Sequence, residues 1–112
     1  MTTNSNQLVA FIQERCLWQF ASRAPDREEN IRGVLNFLHL LLTGQSVPMA
    51  TPMDRCHFAN ANHLAGEVRQ AFPWVNQLGA QDLDKAIGEA IARLEEITIT
   101  QSKNGELHMQ AY

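Results

Sequence analysis

At 112 residues the chain is long enough for one domain and too short for two ordinary ones. Hydrophobic residues make up 45% and charged residues 19%, which fits a folded globular chain and excludes a disordered one. The net charge of −3, with seven arginines and two lysines scattered along the chain, speaks against nucleic acid and anionic membrane surfaces as partners.

The N-terminal "MTTNSNQLVA" lacks the basic segment and apolar core of a signal peptide. No apolar run approaches the length needed to span a bilayer. A cytoplasmic location is the expectation. Cys16 and Cys56 are too few for a disulfide scaffold and should stay reduced there.

A first helix is expected over about 5–21, with Asn4 or Ser5 as N-cap. Leu8, Ile12, Cys16 and Phe20 recur every four residues and make one apolar face. Phe11 and Trp18 lie on a second flank, and Leu17 points nearly opposite the first. The apolar surface thus wraps most of the helix, whereas a surface helix shows a stripe only about 100° wide or somewhat more. A second helix is expected over about 27–43. Asp26 and Glu29 have capping-box spacing and place negative charge at the positive end of the dipole. Ile31, Val34, Leu35, Leu38, Leu41 and Leu42 form its inner stripe; Arg32, Asn36, His39 and Thr43 form the wet face. Gly44 is a natural stop.

After the linker "GQSVPMA", Thr51 caps a third helix over about 52–72, with Pro52 first and Asp54 completing a capping box. Ala61, Leu64, Ala65, Val68 and Phe72 form its stripe, and Pro73 ends it. The turn "PWVNQLGAQ" leads to a fourth helix over about 81–97, weakly capped by Ala80, with Leu83, Ile87, Ala90, Ile91 and Leu94 facing inward. The β-branched run Ile97 to Thr100 has nothing to pair with, so residues 98–112 read as an extended tail. The expectation is one small all-α domain of about four helices.

Few constellations carry chemistry. The glycines form neither a dinucleotide fingerprint nor a P-loop. Cys56, Asn60, His63 and Glu67 share a helix face, but Cys56 and His63 are about 10 Å apart along the axis. A zinc site needs three or four ligands, so a solvated flank with a cysteine at its buried edge is the reading. His57 falls on the apolar face as a hydrogen-bonded, half-buried residue. Cys16 lies among Ile12 and Phe20, where a thiol stays protonated and inert. Glu28-Glu29 and Glu95-Glu96 are adjacent on helices and do not face each other. A helix-turn-helix reading fails, because the connector 44–50 is long and the third helix offers only Arg55 and Arg69 as cations.

The aromatic and arginine residues remain. Trp18 and Trp74 are each explained as caps on a bundle core, but Arg23 and Arg27 lie close to Trp18. Tryptophan and arginine are the residues most enriched at binding hot spots. A helix apolar nearly all round, followed by an arginine-bearing segment, implies that another protein covers one side.

These residues carry a family resemblance. "ERCLWQF", then "SR", then "DREENI" and "GVL", between Glu14 and Leu35, resemble the delta subunit of the alternative nitrogenases. "LLTGQ" at 41–45, "FPW" at 72–74 and "ITIT" at 97–100 are similar too, as are Ser102, Asn104, Glu106, Leu107 and the terminal Tyr112. "EENI" with "GVLN", and "LLTGQ", are more like the vanadium branch, the preferred reading; Asp54-Arg55-Cys56 resembles the iron-only branch. The resemblance implies a small helical accessory subunit without catalytic residues or metal ligands of its own. It implies packing against the alpha subunit in an α2β2δ2 complex that reduces dinitrogen to ammonia. Alpha and beta are then expected to hold the P-cluster and the iron–vanadium cofactor, whose insertion or stability delta supports. The candidate alpha-binding residues are Leu17, Trp18, Phe20, Arg23, Asp26, Arg27 and Trp74. A second class of role is a carrier that itself binds the cofactor through Cys16, Cys56, His57 or His63. One departure stands out: the family tends to carry tryptophan just before Asp-Arg-Glu, where this chain has Ala24-Pro25, and Ala21 is small where a bulkier residue is usual.

Overall fold

The computed structural model describes residues 2–19 and 26–110, with side chains for 2–15 and 29–97. Four α-helices account for it: α1 (Thr3–Gln19), α2 (Asp26–Leu42), α3 (Pro52–Ala71) and α4 (Ala80–Gln110), with a 3₁₀ turn at Pro73–Asn76. The all-α expectation is met, and no strand occurs among the described residues. No helix there is long and apolar enough to cross a membrane.

The start of α1 corrects the expected cap. Thr2 holds the N-cap position, its Oγ1 accepting from the Ser5 N–H at 3.1 Å. Ser5 is fully buried instead. Its hydroxyl donates to the Ala86 carbonyl of α4 at 2.9 Å. With that proton committed, Thr2 Oγ1 must donate to Ser5 Oγ, 2.9 Å away. The capping role of Asp26 falls outside the described side chains. At the far end of α2, Gly44 takes φ +73°. Its N–H donates to Leu41 O, and that of Gln45 to Leu40 O, the paired bonds of a Schellman stop.

Thr51 caps α3 as its sequence requires. Asp54 N–H donates to Thr51 Oγ1 at 3.2 Å, while Asp54 Oδ2 accepts from the Thr51 and Ala50 N–H groups, each at 3.0 Å. The Thr51 N–H is the main cause holding the Asp54 carboxyl below its usual value of 3.8, helped by Ala50 and opposed by desolvation. A carboxyl depressed on folding stabilises the folded state above its unfolded value and loses that contribution as pH falls. Thr51→Ala is expected to cost about 1 kcal/mol in urea unfolding at neutral pH. Asp54→Ala, which removes the depressed carboxylate, should lower the urea midpoint at neutral pH and lose that difference from the parent as the pH falls below about 3.8; an equal difference at both pH values would remove Asp54 from the cap.

Inter-helix contacts set the directions. Gly33 and Phe37 meet His57, and Leu41 meets Arg69, so α2 and α3 run parallel. Phe11 meets Phe72 and Arg15 meets Glu67, so α1 runs opposite to α3. His39 pairs with Asp84, while Glu29 and Arg32 share a cleft with Glu95, so α4 runs opposite to α2. The order is up, down, down, up. Residues 45–50 therefore return along the length of the bundle as an extended strap, packed on the core through Val47. Arg69 Nη2 donates to Leu41 O at 2.8 Å, placing a cation at the C-terminus of α2.

The core collects Leu8, Ile12, Ile31, Leu35, Leu38, Leu64, Val68, Ile87 and Leu94, all fully buried. The expected stripes of α2, α3 and α4 are largely its lining, with Phe37, Val75 and Ala86 added. Cys16 and Phe20 of the expected α1 face lie outside the described side chains. The end of α4 corrects the expected tail, because helix continues from Ile97 to Gln110. β-branched residues lower helix propensity by only a few tenths of a kcal/mol each, and Gln101, Lys103, Glu106, Leu107 and Met109 are good helix formers.

Candidate partner-docking surface

α1 is seated chiefly on α4 and only lightly on α3. Its contact with α3 is aromatic and ionic. Phe11 meets Phe72 edge to face, with ring centroids 5.2 Å apart. The Arg15 guanidinium carbon stands 4.0 Å over the Phe11 ring. Arg15 Nε pairs with Glu67 Oε2 at 3.0 Å, and the other Glu67 oxygen meets His63 Nε2 at 3.0 Å. Exposed pairs of this kind add about 0–1 kcal/mol, so they orient the flank more than they stabilise it. A shallow pocket of about 280 Å³ lies among Phe11, Arg15, Glu67, Gln70 and Ala71.

Phe11, Arg15 and Trp18 stand at i, i+4 and i+7 on α1, which puts them on one stripe. Part of the second apolar flank is thus covered within the chain, by Phe72. The stripe then runs to the position of Trp18; the side chains of Leu17 and Trp18 in the last turns of α1 lie outside the described set, as do those of Asp26 and Arg27 at the start of α2. Phe20 and Arg23 lie outside the described residues altogether.

Trp74 belongs to a different place. It sits on the 3₁₀ turn after α3, its ring 5.8 Å from Phe72 and packed on the core. The structure does not bring it to Asp26 and Arg27, which begin α2 at the opposite end of the bundle. Its Nε1 is buried and meets no acceptor among the described residues. The contributions of Arg15 and Glu67 were missed in the sequence, although the His63–Glu67 spacing was a signal that the flank is ionic.

At the other end, a cleft of about 440 Å³ is lined by Glu29, Arg32, Gly33, Asp54, His57 and Glu95, among others. His57 is more than half-buried: 9% of its surface is exposed, and Nε2 lies 3.4 Å from Asn30 Oδ1. Cys56 is an exposed free thiol and not the buried-edge cysteine expected. No group of three or more His, Cys, Asp or Glu side chains among the described residues could hold a metal ion.

A family model described as the vanadium/alternative nitrogenase delta subunit matches residues 2–112. The chain is 39% identical over 102 residues to a nitrogenase iron-iron protein delta chain of Clostridium pasteurianum, covering 91% of this chain and 88% of that one. It is 36% identical over 105 residues to the protein of that name from Rhodospirillum rubrum, covering 94% and 90%. With its counterpart from Azomonas macrocytogenes it is 36% identical over 104 residues, covering 93% of each. The vanadium preference drawn from "EENI", "GVLN" and "LLTGQ" is not matched by these names, all of which are iron-iron. With the resemblance extending from α1 to the last residue, the chain belongs to the delta subunit family of the vanadium and alternative nitrogenases.

Proposed function

We propose that this chain is the delta subunit of an iron-only nitrogenase. It acts as a non-catalytic accessory subunit that binds the alpha subunit, alongside beta, and supports loading or stability of the cofactor-bearing complex. The observation that carries the branch is the iron-iron naming of relatives 36–39% identical over nine-tenths of the chain. The vanadium branch is the second reading, kept because the matching family model spans both. The P-cluster and the metal cofactor are assigned to the partner subunits.

The docking surface is the end of α1 with the segment 22–27, reached along the stripe of Phe11 and Arg15. Leu17, Trp18, Phe20, Arg23, Asp26 and Arg27 are its residues. Trp74, packed on Phe72, supports the bundle. A carrier role fits the donor set less well. Cys56 and His63 lie two turns apart on α3, about 10 Å along the axis, and His57 turns inward onto Gly33.

Tagged chain isolated from nitrogen-fixing cells is expected to bring alpha and beta with it, in a complex containing iron and no vanadium. Vanadium in the eluate would reassign the branch; a chain that elutes alone would end the subunit reading. Trp18→Ala or Arg27→Glu should reduce co-purification at least tenfold while the isolated domain keeps its helical signal. Undiminished capture by both variants would remove this surface.

A further inference from the structure

We draw no further inference here: the strongest candidate, the cleft where Glu29 and Asp54 gather with Glu95 around the buried His57, is an acidic cluster whose imidazole already meets Asn30, and nothing in the structure points to a ligand that fills it.

Discussion

Leu64→Ala should destabilise the isolated chain by about 2–5 kcal/mol. Leu64 is fully buried on the face of α3 that supplies Ala61, Ala65 and Val68 to the core. Removing its isobutyl group loses transfer energy and leaves a cavity that neighbouring helices only partly close. A domain of this size has a total stability of about 5–15 kcal/mol, so the urea midpoint should fall steeply. A partner that binds only the folded form restores about 2.7 kcal/mol at a hundredfold excess over its dissociation constant. Leu64→Ala should therefore still co-purify with alpha and beta when co-expressed, although it unfolds early alone. Trp18→Ala should do the reverse. If both variants behave alike in the two assays, the division between core and docking surface fails.

Gly33→Ala is expected to destabilise, against the general rule for helices. Alanine is about 1 kcal/mol better than glycine in a helix interior. At Gly33, however, an added Cβ would run into Nδ1 and Cε1 of the His57 ring. The imidazole is buried and cannot swing aside without leaving Asn30 and Phe37. Overpacking of this kind costs about 1–3 kcal/mol, which leaves a net loss of up to about 2 kcal/mol after the propensity gain. Gly66 and Gly88 are the controls, because nothing lies within 4 Å of a Cβ at either. Alanine there should raise the urea midpoint. In a His57→Ala background, Gly33→Ala should become neutral or stabilising. A Gly33→Ala chain as stable as the parent would show that the close approach of α2 and α3 is not what requires glycine.

The period of apolar residues made the helices legible. Leu64, Ala65 and Val68, or Ile87, Ala90 and Leu94, lie where a 3.6-residue repeat puts them. Thr51 with Pro52 and Asp54, and Gly44, mark ends that local bonds alone can form. Ser5 shows the limit. Its side chain was an equally good cap by type, and only the nearness of Ala86, distant in the chain, turns it inward. Helix direction was hidden for a similar reason. Nothing in "GQSVPMA" says whether it reverses the chain at once or runs back along the bundle; that depends on which faces of α2 and α3 fit, including the notch at Gly33. The candidate surface rests on the family strings, but Trp74 was grouped with Asp26 and Arg27, and the bundle puts it at the end opposite to them.

The bond between Ser5 and Ala86 spans 81 positions, and it sits where α1 meets its main support. Closing so long a loop costs entropy that only the finished contact offsets. The earliest of the four helices in the chain is thus among the last to be seated. α1, in which the "CLWQF" string begins, gains its main support only after α4 has been made, so a partner that reads a seated α1 would meet a chain already built through α4. A partner that used the proposed surface would, in effect, check that the four helices have come together.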